Sequence, residues 1–392
     1  MPGRHRAGRL SLEELLLAIR GRPDDAELRL VYADALEEAG EGLRAEVIRR
    51  SIANDREWVD EALKEHEEML AGPAIAEHAR EWLFSNGLVW WVTTTLSELA
   101  THGAAMFRSA PIQRVTIVEG DDDDVPGRAT GEALATISEL SSLESIDLFT
   151  GVFSKKLLDA FTASPHLTSL RHVAFMYGEE ADLARVFARA PLPALRELLF
   201  WMESGGDGDR VASLLARSER RSDLRRLELS GCSPTDKGMR AIARSPHLRS
   251  LSHLLFGSSH YSPTRLTDDA TKALAESKLT ALTTLELPDV GLDDAGVAPL
   301  TRAGTFRLEA LDLRENAITE LGALLEAPAL ASLGKLDLQG NRLDDRAAEA
   351  LLRWPGASNL HYLDVSGNRL THAAREALRT APCLSSCNVI VG

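Results

Sequence analysis

The chain has few cysteines, no long apolar run and no excess of positive charge. Its 392 residues include three cysteines, Cys232, Cys383 and Cys387, too few for a disulfide framework. Thiols kept reduced point to a cytoplasmic protein. No stretch approaches the roughly 18–20 apolar residues that span a bilayer. The basic start, Met1 to Arg9, leads into Ser11 to Arg20, where leucines mix with Glu13 and Glu14. That pattern is an amphipathic helix and not the apolar core of a signal peptide. The formal net charge is −15. It argues against nucleic acid and anionic membrane as partners, because both reward clustered Lys and Arg. It leaves room for a basic protein partner.

Catalytic and metal signatures are missing too. Gly205-Gly206-Asp207-Gly208-Asp209 lacks the Lys-Ser/Thr ending of a phosphate loop and reads as a flexible loop. The run Asp121 to Asp124 lacks the alternating spacing and distal Glu of a Ca²⁺ loop, and reads as a solvated insertion. Cys383 and Cys387 have no His at zinc spacing. They read as packing residues, Cys387 in a core strand position and Cys383 at a helix end. Histidines recur at equivalent helix–strand turns, as in Ser164-Pro165-His166 and Ser245-Pro246-His247, which is repeat architecture and not a metal cluster. With no nucleophile–base or metal set, the expectation is a non-enzymatic protein with no metal and no cofactor.

A leucine repeat dominates what is present. Its clearest copies are Leu308–Leu311–Leu313–Asn316, Leu333–Leu336–Leu338–Asn341 and Leu360–Leu363–Val365–Asn368. Successive first leucines, Leu282, Leu308, Leu333, Leu360 and Leu384, stand 24 to 27 residues apart. Such a period marks a solenoid, in which each unit buries its apolar edge on its neighbours and the core grows lengthwise. Eleven strands are expected, centred on Val115, Ile146, Val173, Leu198, Leu227, Leu254, Leu285, Leu311, Leu336, Leu363 and Cys387. Helices fill the intervals. Asp268 and Asp344 open two of them by accepting free N–H groups. Asn316, Asn341 and Asn368 are expected to bind backbone groups in the turn after each strand. Cys232 takes the same place in Leu224–Leu227–Leu229–Cys232.

Residues 10 to 85 carry no repeat. Leu12, Leu15, Leu16 and Ile19 share a helical face. After Pro23, Asp24 or Asp25 caps a second helix with an apolar stripe of Leu28, Val31, Tyr32, Ala35 and Leu36; Gly40 and Gly42 end it. A third runs through Ala45, Val47, Ile48 and Ile52, and charged helices extend from about Trp58 to Trp82. Leu88 to Val92 is β-rich and begins the sheet as a cap strand.

Two resemblances follow. The run Arg22-Pro23-Asp24-Asp25, then Leu30 to Gly40, then Arg44 to Arg49, resembles the bacterial repeat-companion domain, a helical module found in front of repeat regions. That family has Trp where this chain has Ala35 and a larger residue near Val47. The resemblance brings no catalytic residue, and Tyr32, Leu36 and Ile48 read as core. From residue 112 to 392 the chain resembles long leucine-rich repeats of the ribonuclease-inhibitor type, also seen in the Ran GTPase-activating protein. The implied fold is α/β: a right-handed leucine-rich-repeat solenoid, parallel strands concave and helices convex, behind a small all-helical N-terminal module. The division expected is 1–86 for the helical module and 87–392 for the repeats.

The function expected is protein binding through the concave face, as regulator or scaffold. Between the central and third leucines stand Asp147, Glu228, Glu286, Asp312, Asp337 and Asp364. Strands about 4.8 Å apart turn Glu286 through Asp364 into a ladder of four carboxylates, interrupted by Arg314 and Lys335, whose field suits Lys or Arg from a partner. In the middle repeats Phe149, Ala174, Met176, Leu199, Trp201 and Leu255 occupy outward positions and form an apolar patch fit for an interface. Alternatives are an inhibitor of a basic enzyme, a GTPase regulator, or the substrate of a cellular protease cut at the loops 121–124 or 205–208.

Overall fold

The computed structural model describes residues 10–120, 127–149, 151, 153–176, 180–202, 206–257 and 264–392. The run Asp121 to Asp124 and Gly205 lie outside them. Among the described residues, thirteen strands form one sheet whose strand order is the chain order. By compactness the chain divides into two units, residues up to 173 with 192–194, and residues 174–191 with 195–392.

The first unit opens with five helices: α1 (Leu12–Gly21), α2 (Ala26–Glu38), α3 (Gly42–Ile52), α4 (Arg56–Ala71) and α5 (Pro73–Ala76). Ser11 and Glu14 form a capping box at α1, and Asp25 caps α2 by accepting the Leu28 N–H. Gly40, at φ +88°, ends the α2 segment as expected, whereas Gly42 opens α3. Leu15, Leu16, Ile19, Tyr32, Leu36 and Ile48 meet in one buried cluster. α4 deviates from helical geometry at His66.

A hairpin follows, β1 (Glu81–Ser85) and β2 (Leu88–Thr94), paired antiparallel. The cap strand is therefore a pair, and Trp82 lies in β1 instead of ending a helix. Asn86 and Gly87 turn the chain at φ 49° and 79°, the left-handed pair that an Asn-Gly hairpin turn requires. A Cβ on Gly87 would meet the Ile48 Cα at 2.7 Å, so the turn sits directly on α3. α6 (Leu96–Ser109) then leads to β3 (Arg114–Val118), α7 (Arg128–Ala135), β4 (Ser145–Phe149) and α8 (Lys155–Thr162), with β5 (His172–Phe175) at the unit boundary. β2, β3 and β4 pair in parallel.

The second unit alternates helix and strand: α9 (Glu180–Arg189), β6 (Glu197–Trp201), α10 (Gly208–Ala216), β7 (Arg226–Ser230), α11 (Asp236–Ala243), β8 (His253–Gly257), α12 (Asp268–Ala275), β9 (Thr284–Glu286), α13 (Asp294–Val297), β10 (Ala310–Asp312), α14 (Gly322–Leu325), β11 (Lys335–Asp337), α15 (Asp345–Arg353), β12 (Tyr362–Asp364), α16 (His372–Thr380) and β13 (Asn388–Ile390). β3 to β13 are the eleven strands expected. Their central residues pair as read: Val115 beside Ile146, Leu227 beside Leu254, Leu285 beside Leu311, then Leu336 and Leu363. Those ten centres, Val173 and Leu198 included, are at most 1% exposed, and each places a branched or aliphatic side chain in the core.

The last repeat corrects the sequence reading. Leu363 pairs with Val389 and not with Cys387. Ser385 and Ser386 form a turn after Leu384, and Cys387 donates its N–H to the Leu384 carbonyl at 2.9 Å. That turn adds two residues before the strand, so Cys387 is a partly exposed thiol ahead of β13. Cys383 lies in a short 3₁₀ turn, Pro382–Leu384, beyond α16.

Two side-chain ladders tie repeats together. Asn341 Nδ2 donates to the Leu313 carbonyl of the previous repeat at 2.9 Å, and its Oδ1 accepts the Ile318 N–H at 3.1 Å. Asn316 and Asn368 do the same one repeat earlier and later. Cys232 is fully buried at the same place. On the helices, the Asp near each start clasps a Thr ahead of the next helix: Asp209 with Thr235, Asp236 with Thr267, Asp294 with Thr319 and Asp345 with Thr371. Each also accepts that Thr's backbone N–H. These bonds satisfy helix-terminal donors and link repeats at once.

Candidate interaction face

Side chains alternate across a strand, so the residue between two core leucines leaves the sheet on the other face. Backbone pairing sets Glu286, Asp312, Asp337 and Asp364 side by side on β9 to β12. Glu228 lies beside Leu199 on β6 and Leu255 on β8, and Asp147 beside Thr116. The register pairs these residues across neighbouring strands. Their depth was not expected: Asp147 is 1% exposed, Glu228 3%, and Asp312, Asp337 and Asp364 5–6%. Adjacent strands crowd these side chains, and their neighbours close over them.

A buried carboxylate must be neutralised, hydrogen-bonded or protonated. Asp147 is neutralised. Arg114 donates to its Oδ2 through Nε at 2.9 Å and Nη2 at 2.6 Å, His172 Nε2 lies 3.3 Å from Oδ1, and the Thr116 hydroxyl reaches Oδ2 at 3.4 Å. The Trp91 indole N–H supports that hydroxyl at 2.9 Å. Burial alone would raise the Asp147 pKa; His172 and Arg114 outweigh it and hold it below the usual aspartate range. Glu228 is neutralised likewise. The Trp201 indole N–H donates to it at 2.9 Å, Arg226 pairs with it, and His253 stands 3.6 Å away. His253 also lies 3.2 Å from Glu286 and is the main reason the Glu286 pKa is lowered.

The C-terminal acids differ. Asp312 accepts the Arg314 N–H at 2.9 Å, Asp337 the Gln339 N–H at 3.1 Å, and Asp364 the Ser366 N–H at 2.8 Å. Asp312 has Arg314 Nε at 3.5 Å. Asp337 and Asp364 form no salt bridge among the described residues. Lys335 turns instead onto the Tyr362 ring, 5.2 Å from its centroid, a cation–π contact. Burial pushes Asp312 up to about 6, against the pull of Arg314, with the charges of Asp337 and Glu286 adding to the rise. Asp337 is raised by burial and by Asp364. Burial and the same two aspartates raise Tyr362.

The apolar residues are less open than expected. Leu199 is 3% exposed and Ala174 fully buried, so neither presents area to a partner as the chain stands. Phe149, Met176, Trp201 and Leu255 are partly buried. Spacing gives a side chain's face; it does not give how far its neighbours cover it.

One polar set escaped the sequence reading altogether. His78, Glu98 and His102 bring one ligand atom each within 4.8 Å of one another. The spacing Glu98-x-x-x-His102 on one helix was the available signal.

Residues 330–352 match the family described as Leucine Rich repeat, and the fold is a leucine-rich-repeat solenoid preceded by a helical segment. Leucine-rich repeats are in general interaction modules, built around an extended binding surface. No curated protein matches this chain. Among solved structures it is similar to an internalin from Listeria monocytogenes (18% identity, 73% of this chain and 69% of that one, TM-score 0.43). It is also similar to human 5T4, the Wnt-activated inhibitory factor 1 or trophoblast glycoprotein (19% identity, 60% and 81%, TM-score 0.40). TLR13, solved in complex with ssRNA13, is a third (16% identity, 71% and 43%, TM-score 0.40). None of these likenesses carries function to this chain. No described helix is long and apolar enough to cross a membrane.

Proposed function

We propose that this chain is a non-enzymatic interaction protein that holds a partner protein against the outer face of its C-terminal strands. The row Glu286, Asp312, Asp337 and Asp364 receives Lys or Arg side chains of that partner. One observation carries the reading. Asp337 and Asp364 stand in adjacent register, nearly buried, each accepting a backbone N–H and neither in a salt bridge among the described residues. Holding like charges that close costs stability, and a cation from outside repays it. Trp201 and Leu255, partly buried near Glu228, extend the contact toward β6. The helical segment acts as a repeat-companion module, the repeats are of the ribonuclease-inhibitor type, and the division falls near residue 86. The setting is the cytoplasm of a bacterium, where the thiols of Cys232, Cys383 and Cys387 stay reduced.

The test is affinity retention from lysate on the whole chain and on a D312N/D337N/D364N variant, quantified by mass spectrometry over a salt series. The expected result is a retained protein that is released by salt and lost from the variant. Equal retention on both chains overturns the assignment of the acid row.

A further inference from the structure

His78, Glu98 and His102 come from two elements of the first unit. Glu98 and His102 are one turn apart on α6, so their side chains leave the same helix face. His78 follows α5. Its N–H donates to the Ile75 carbonyl at 3.2 Å, and the Thr94 hydroxyl donates to its carbonyl at 2.8 Å. Thr95 caps α6 by accepting the Glu98 N–H at 3.2 Å. All three residues are thus anchored through the backbone.

Their donor atoms converge. His78 Nδ1 lies 3.0 Å from Glu98 Oε2, and His102 Nε2 lies 3.9 Å from the same oxygen. Ligands at about 2.0–2.1 Å around a tetrahedral zinc stand roughly 3.3 Å from each other. The observed separations bracket that value. The imidazoles stack with centroids 3.6 Å apart and planes 5° from parallel. An ordinary His–Glu ion pair would aim its N–H at the carboxylate. Here Glu98 Oε2 is closed to solvent and accepts no hydrogen bond, although Nδ1 is at contact distance. An unsatisfied oxygen and two ring nitrogens share one space.

We propose that His78, Glu98 and His102 bind one divalent transition-metal ion of the zinc class. Two imidazoles and a carboxylate suit Zn²⁺, Co²⁺ or Ni²⁺, whereas Ca²⁺ and Mg²⁺ require a shell of oxygens. Three protein ligands leave a fourth position for water or another ligand. The side chains of His78 and His102 are 22% and 38% exposed, enough for an ion to enter. Bound metal would clamp the segment after α5 to α6 and stabilise the folded state by mass action.

The full chain, stripped with a chelator, is titrated with ZnCl₂ and separately with CoCl₂, beside E98Q, H102Q and H166Q. His166 lies outside the set and serves as control. Expected are one tight equivalent of Zn²⁺, a Zn²⁺-dependent rise in Tm, and a visible Co²⁺ spectrum of low coordination number. E98Q and H102Q should each weaken binding by at least about tenfold and abolish the rise in Tm, while H166Q leaves all three unchanged. Circular dichroism shows whether each variant is folded. Binding that is equal in wild type and H102Q would place the ion on other donors and overturn the proposal. So would the lack of a tight equivalent in the wild type.

Discussion

Asp147 and Glu228 occupy the same outward register as Asp312, Asp337 and Asp364, and all five are nearly buried. Their surroundings differ. Each of the first two is met by an arginine, a histidine and a Trp-supported hydrogen-bond network. The last three accept backbone N–H groups, with a single arginine beside Asp312 and the Ser366 and Tyr362 hydroxyls on Asp364. The pKa directions follow: Asp147 is lowered, Asp312 and Asp337 are raised. One position in the repeat thus serves two purposes. Where the chain supplies its own cation, the acid is a structural staple. Where it does not, as between Asp337 and Asp364, no salt bridge forms among the described residues and the acids rest on hydrogen bonds.

Breaking a staple should have the largest effect. Arg114→Ala leaves Asp147 buried against His172 and the Thr116 hydroxyl and is expected to destabilise the protein by about 3 kcal/mol, read from denaturant midpoints. Asp147→Asn should cost about 2 kcal/mol at pH 7. Because the folded pKa of Asp147 is depressed, that contribution is present above the unfolded value near 4 and is lost as pH falls through the folded pKa. The two curves should therefore converge in acid. A gap that persists at pH 2–3 would mean the loss is one of packing.

Asp312 should behave in the opposite sense. The pKa of Asp312 is raised to about 6, so the folded state favours its protonated form. Stability from this group is full below the unfolded pKa and is lost as pH rises toward 6. Asp312→Asn should then raise stability at pH 7 by about 1–2 kcal/mol, with no gain at pH 4. A loss at pH 7 would show that its charge is paid for within the chain. The smallest expected effect is that of Trp201→Phe. It removes the indole N–H from Glu228 and keeps an aromatic ring, at a cost of about 1 kcal/mol. A wild-type midpoint would mean that Arg226 and His253 satisfy Glu228 alone.

Much of this was legible in the sequence because a leucine repeat is a ruler. Leu308, Leu311, Leu313 and Asn316 fixed strand, core face and turn together, and the same ruler put Glu286 beside Asp312. It failed where the spacing changed without a marker. The turn at Ser385 and Ser386 moved Val389 into the place assigned to Cys387. Strand β1 was hidden behind charged helices, though Asn86-Gly87 announced the hairpin. Depth was not legible, because the cover over Leu199 or Asp337 depends on neighbouring strands and not on their own spacing. Nor was the partnership of His78 with α6, which the chain reaches only after a hairpin.

The most direct test of the difference between the two groups of acids is denaturant unfolding of the D312N/D337N variant beside wild type from pH 4 to pH 8. The account predicts a variant more stable than wild type at pH 7–8, with the advantage shrinking toward pH 4. A variant that is less stable across the neutral range would contradict it, because these carboxylates would then be as fully used within the chain as Asp147.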